Sequence, residues 1–156
     1  MASEVPWKQD EQPPSSGTYE AGCHCGYIKF AFTLSPSLEG SKVMQCNCSA
    51  CTRFGYLLVY PEAKDVTWHN NGRERCSNYQ FNSKKKDQMF CPKCGASLGI
   101  DFREVLTPPR FGISVRTIYG IDVDKLTYKK GDGKNQMQPA GDTAGCYWDE
   151  EKQEMK

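Results

Sequence analysis

Tyr27-Ile28-Lys29-Phe30-Ala31-Phe32-Thr33-Leu34 places Ile28, Phe30, Phe32 and Leu34 at every second position. A period of two is the signature of an extended chain, whose side chains point alternately to opposite faces. The stretch therefore predicts a half-buried strand over 27–34. Working outward, the same kind of run recurs over 56–60, where Pro61 stops it, and over 66–68, just before the turn Asn70-Asn71-Gly72. Further strands are predicted over 76–81, 87–90, 95–102 and 111–118. No long stretch carries a 3.6-residue period. Only the residues after Cys51 and around Asp122-Val123-Asp124-Lys125-Leu126 leave room for a short helical turn. Many short strands punctuated by Gly, Pro and Asn predict a mainly β domain. Phe30, Phe32, Tyr79, Phe81, Phe90, Phe102 and Phe111 sit at strand spacing and are assigned to core packing.

The flanks read differently. Residues 1–17 are polar and hold Pro6, Pro13 and Pro14 beside Ser15 and Ser16. They offer too little apolar surface to order themselves and are expected to be a flexible lead. Residues 129–156 form a polar tail, interrupted by Cys146-Tyr147-Trp148, which can dock back. The domain is expected over 18–128. The chain of 156 residues has a formal net charge of +1, which gives no general pull toward nucleic acid. Lys84-Lys85-Lys86 reads as a solvated loop. No apolar signal core lies in the lead, and no stretch reaches the roughly 18 apolar residues of a membrane span. The expectation is a soluble protein, cytoplasmic or nuclear.

Seven of the nine cysteines fall into three clusters: Cys23-His24-Cys25, Cys46-Asn47-Cys48-Ser49-Ala50-Cys51 and Cys91-Pro92-Lys93-Cys94. In a reducing compartment such pairs read as metal sites before disulfides. Cys91-Pro92-Lys93-Cys94-Gly95 has the form of a zinc knuckle, with Gly95 supplying the positive φ of the turn. The competing reading is a redox dithiol, but that motif usually opens a helix and these flanks read as strands. Cys23 and Cys25 lie between Gly22 and Gly26, which permit a turn, and they need two further ligands. The knuckle is their natural supplier, and such a site would join hairpins about 65 residues apart in sequence. Cys46, Cys48 and Cys51 can take three corners of one tetrahedron. Water, a substrate thiol, Cys76 or Cys146 is left for the fourth. Four thiolates close one site and three leave one open, so one structural and one substrate-binding zinc are expected. His24 is expected to point away from the metal, and His69 to be an exposed turn residue. No Ser-His-Asp set, phosphate loop or dinucleotide glycine motif is present.

Three segments together carry a resemblance. Gly22-Cys-His-Cys-Gly26, Cys46-Asn-Cys-Ser-Ala-Cys-Thr-Arg-Phe-Gly55 and Phe90-Cys-Pro-Lys-Cys-Gly-Ala-Ser-Leu98 resemble the glutathione-dependent formaldehyde-activating enzyme family. Gly112-Ile-Ser-Val-Arg-Thr-Ile-Tyr-Gly-Ile-Asp122 is similar to that family's last core strand. The resemblance spans roughly 19–128. It implies a β-tent of twisted antiparallel sheets. It further implies that Cys23, Cys25, Cys91 and Cys94 hold a structural zinc, while Cys46, Cys48 and Cys51 hold a catalytic one. Spacing alone does not say which clusters share an ion.

The reaction implied by the resemblance joins glutathione to formaldehyde, formally a carbon–sulfur lyase run in reverse. Zinc at the three-cysteine site would hold the substrate sulfur as thiolate. Arg53 is the nearest candidate to pair with a substrate carboxylate, against the plain reading of a solvent-exposed arginine. The expected partners are a small thiol and a small electrophile, with no membrane and no nucleic acid. Arg103-Glu-Val-Leu-Thr-Pro-Pro109 reads as an insertion that reshapes a cavity rim. The competing class is a non-catalytic zinc-stabilised binding module of the same fold; a purely redox thiol protein comes third.

Overall fold

The strand with the strongest alternation sits in the middle of a sheet. A computed structural model describes residues 15–156; positions 1–14, most of the expected lead, lie outside the described residues. In chain order the strands are β1 (Gly17–Gly22), β2 (Lys29–Leu34), β3 (Val43–Cys46), β4 (Leu58–Val59), β5 (Val66–His69) and β6 (Ser77–Tyr79). There follow β7 (Asp87–Phe90), β8 (Ser97–Asp101), β9 (Phe111–Ser114), β10 (Tyr128–Gly131), β11 (Trp148–Asp149) and β12 (Glu154–Met155). Three short helices, α1 (Ser49–Phe54), α2 (Gly72–Arg75) and α3 (Gly133–Gln136), interrupt them. The fold is mainly β, as the alternation predicts.

A three-stranded sheet runs β1-β2-β5, and a seven-stranded sheet runs β10-β3-β4-β9-β8-β7-β6. All pairings are antiparallel except that of β10 with β3, which is parallel, with Gly131 opposite Cys46. The larger sheet is thus mixed, where only antiparallel sheets were expected. Phe30 and Phe32 of β2 are buried. Phe30 lies 4.7 Å from Trp68, and Trp68 lies 5.4 Å from Phe111 of the other sheet, ring centre to ring centre. This aromatic chain ties the two sheets through one apolar core.

Several predicted strands are trimmed. Tyr27 and Ile28 belong to the turn before β2, because Gly26 reverses the chain with φ 86°. The stretch 111–118 stays in its sheet only to Ser114, after which Val115–Thr117 winds into a 3-10 turn and Ile118 forms an isolated bridge to Ala21. Thr117 Oγ1 donates to Ser114 O there, at 2.7 Å. The helix predicted after Cys51 begins earlier and carries Cys51 itself, and Val123–Lys125 forms the other turn. No helix of the described residues is long and apolar enough to cross a membrane.

Candidate metal centres and the cavity beside them

Cys23 and Cys25 lie in the turn after β1, and Cys91 and Cys94 in the knuckle between β7 and β8. The four sulfurs all lie within 4.8 Å of one another. Cys23 and Cys25 are 3.7 Å apart, and Cys25 and Cys91 3.8 Å, Sγ to Sγ. A tetrahedral ion with metal–sulfur bonds of about 2.3 Å places its ligand atoms about 3.8 Å apart, whereas a disulfide brings them to about 2.05 Å. The spacing therefore fits a shared ion. Backbone amides already point at the sulfurs: Ile28 N at Cys23 (3.3 Å), and Lys93 N and Cys94 N at Cys91 (3.3 and 3.4 Å). The amide of Ala96 helps draw the Cys94 thiol down to about 6. At Cys25 the Tyr27 amide pulls the other way, yet burial and the neighbouring sulfurs push it up to about 11. Four thiols at this spacing, with backbone amides aimed at their sulfurs, suit a cation.

The second group is local. Cys46 ends β3, Cys48 is the N-cap of α1, and Cys51 lies on the first turn of α1. Their sulfurs also lie within 4.8 Å of one another. Cys48 Sγ accepts from Cys51 N at 3.2 Å, so one sulfur both caps the helix and meets its positive end. The Cys51 thiol and this amide hold Cys48 down to about 5 against the effect of burial. Cys51, donating to Cys48, is pushed far up. Gly55 closes α1 in the left-handed conformation, φ 69°, which a residue with a side chain adopts less readily. Among the described residues no fourth Cys, His, Asp or Glu joins this group. Cys76 is buried elsewhere, its Sγ donating to Gly72 O at 3.4 Å. Cys146 is exposed and belongs to neither group.

The open side of this cluster faces a cavity of about 400 Å³. Its walls are apolar where Met44, Ile100 and Phe102 stand, with Tyr60 and Gln88 among them. Burial, followed by the charges of Cys51, Cys46 and Cys48, pushes the Tyr60 phenol up to about 12. Tyr56 is pushed up as well, chiefly by burial, and donates to Gln88 Oε1 at 2.9 Å. Both phenols therefore keep their protons near neutral pH.

One wall comes from the segment read as a tail. Residues Gly131, Asp132, Gly133, Gln136, Met137 and Gln138 line the cavity. Asn47 fixes this strap from between two cysteines: its Nδ2 donates to Asp132 Oδ1 and its Oδ1 accepts from Lys134 N, both at 2.9 Å. At the far end Asn82 Nδ2 donates to Gln138 O at 3.2 Å. Gly133 passes so close to the cluster that a β-carbon there would lie 2.7 Å from Cys46 Sγ and 2.9 Å from Cys48 Cβ. Further on, Asp142 Oδ1 accepts from Ser49 N (2.9 Å) and Oγ (2.8 Å) at the start of α1.

The remaining site candidates fall as follows. Arg53 does not line the cysteine cavity; it donates from Nη1 to Ser49 O at 3.2 Å and borders two other hollows. α1 turns it away, because Cys51 and Arg53 are two residues apart and such positions do not share a helical face. His24 is exposed, and His69 Nε2 lies 3.2 Å from Glu20 Oε1. Arg103, Glu104 and Val105 line a separate hollow with Lys84 and Lys85. Lys86, read with its neighbours as a solvated loop, instead lines the cysteine cavity. The strap and Lys86 are the parts that sequence reasoning missed. The strap's one visible signal was Gly131-Asp132-Gly133, two glycines flanking an acid in otherwise polar chain.

A family model described as glutathione-dependent formaldehyde-activating enzyme matches residues 18–122. All seven clustered cysteines lie inside that span, and β10 and the strap lie beyond it. A crystal structure of a Rhodobacter sphaeroides protein is similar with a TM-score of 0.57 and 24% identity, over 70% of this chain and 99% of that one. That likeness concerns the fold alone.

Proposed function

This chain belongs to the glutathione-dependent formaldehyde-activating enzyme family, and we propose that it joins a thiol, glutathione in the first instance, to formaldehyde or another small electrophile. The observation that carries this reading is the asymmetry between the two cysteine groups. Four sulfurs close one group, while three leave the other with a free corner facing a cavity of about 400 Å³.

In this reading Cys23, Cys25, Cys91 and Cys94 hold a structural zinc that staples β1 to the β7–β8 knuckle. Cys46, Cys48 and Cys51 hold the second zinc. A zinc held there would supply the positive charge that keeps a substrate sulfur as thiolate near neutral pH. The chain's own groups do the rest. Cys48 accepts from the Cys51 thiol and from the Cys51 amide, both of which favour its thiolate form. Three thiolate ligands make a weak Lewis acid, which favours delivery of the substrate thiolate over polarisation of the carbonyl. The thiolate sulfur forms the new bond to the carbonyl carbon. The displaced carbon–oxygen π pair moves to oxygen, which takes up the proton released by the thiol. Tyr60, held protonated in the cavity wall, is a donor suited to the oxygen on which charge gathers. Met44, Ile100 and Phe102 limit water around that oxygen.

The test is metal content together with turnover. Two zinc ions per chain are expected, with glutathione binding only to protein that carries the second. The rate of S-hydroxymethylglutathione formation, followed by NMR exchange, should exceed the uncatalysed rate. A fully loaded protein that binds no thiol would leave the chain as a zinc-stabilised module without this chemistry.

A further inference from the structure

The basic run Lys84-Lys85-Lys86 is divided by the fold. Lys84 and Lys85 are exposed on the connection between β6 and β7. Lys86 is half-buried, places its Nζ 5.7 Å from the centre of the Phe102 ring, and lines the cysteine cavity. It is the one lysine or arginine among the lining residues. Within the described residues it forms no ion pair with a carboxylate. The acid on the opposite strap, Asp132, is already engaged by Asn47 and Asn135.

A cation drawn partly out of water onto an apolar wall loses solvation. The Phe102 ring face returns a part of that. An anion entering the cavity would return more, and a charge-assisted bond there is screened less than one at the surface. We infer that Lys86 is the specificity-determining residue of this cavity and that it pairs with a carboxylate of the thiol substrate. The preferred substrates are thus thiol acids, and neutral thiols of similar size are disfavoured. The plain alternative is that the lysine stem merely covers apolar wall; that role would be blind to ligand charge.

This inference rests on the thiol-binding reading above, and the two can fail separately. The experiment compares glutathione with glutathione diethyl ester, which keeps the sulfur and masks both carboxylates. Binding to the zinc-loaded full chain is measured by calorimetry for wild type, Lys86→Met and Lys86→Arg, each checked by thermal melting; Lys86→Gln replaces the Met variant if that one folds poorly. Wild type should bind glutathione about tenfold more tightly than the ester. Lys86→Met should remove that gap by weakening glutathione alone, and Lys86→Arg should restore most of it. Equal binding of both thiols by wild type, or equal weakening of both by Lys86→Met, would overturn the assignment. Absence of binding for either thiol in wild type would overturn the thiol-binding reading and this inference with it.

Discussion

The side-chain amide of Asn47 donates to Asp132 at 2.9 Å across 85 positions of sequence. Its oxygen accepts from Lys134 N, so one side chain from within the cysteine cluster pins both ends of the first strap turn. Replacing Asn47 with Ala removes two exposed hydrogen bonds, each worth at most about 1 kcal/mol. The expected result is a modest loss of thermal stability, two zinc ions retained, and a several-fold rise in KM for the thiol with little change in kcat. Metal analysis alongside steady-state kinetics checks this. Loss of the second ion would show that Asn47 acts on the ligands and not on the strap.

Gly133 tests the same wall from the other side. Ala at this position brings a methyl group to 2.7 Å from Cys46 Sγ, a contact that forces the strap or the sulfur to move. Overpacking of this kind costs about 1–3 kcal/mol. Zinc content should fall from two toward one per chain while the four-cysteine group stays loaded. Unchanged metal content and unchanged thiol binding would mean that the strap yields freely and shapes nothing.

The two cysteine groups should respond differently to serine. Ser at Cys48 still offers an oxygen to Cys51 N, and serine is a good N-cap, so α1 should persist. Activity and the second ion should be lost with a small change in melting temperature. Ser at Cys94 removes a ligand from the proposed structural ion, and a structural zinc contributes folding energy directly. That variant should unfold or melt far lower. Equal effects of the two substitutions on stability would contradict the division of roles.

Cys76, outside both cysteine groups, gives a pH signature of its own. Burial pushes its thiol up to about 11 from an ordinary 9.0. A raised folded value means that this group's contribution is fully present below about pH 9 and is lost as pH rises through about 11. Urea midpoints of wild type and Cys76→Ala should therefore converge between pH 9 and 11. At pH 8 wild type should be the more stable, since Ala also loses the contact with Gly72 O. A gap that stays constant across this window would contradict the raised thiol.

Much of this fold is visible in local pattern, because β2, β7 and the knuckle each carry their own signal within a few residues. Phe30, Phe32 and Leu34 alternate because one side of β2 meets the core. Cys91 to Gly95 is legible because a two-residue gap and a glycine suffice to aim both sulfurs. Four features were not legible. β1, Gly-Thr-Tyr-Glu-Ala-Gly, has few strongly strand-forming residues, and its pairing with β2 creates its structure. β10, Tyr-Lys-Lys-Gly, is polar because it borders its sheet at one edge, and its parallel partner β3 lies far back in the chain. Lys86 could not be told from Lys84 and Lys85, because the difference between them is made by Phe102. Arg53 is near Cys51 in sequence and turned away in space, a case where two residues of helix separate neighbours.

The clustered cysteines stand on β3, at the start of α1 and in the turns beside β1, β7 and β8, whereas the strap hangs from β10, the edge strand that pairs with β3 through a polar four-residue ladder. In the proposed function, chemistry and selectivity would therefore be built from different pieces of chain. Lengthening or rewriting residues 134–138, beyond the Gly131 and Gly133 contacts with the cluster, would alter what reaches the sulfurs without touching the residues that gather them.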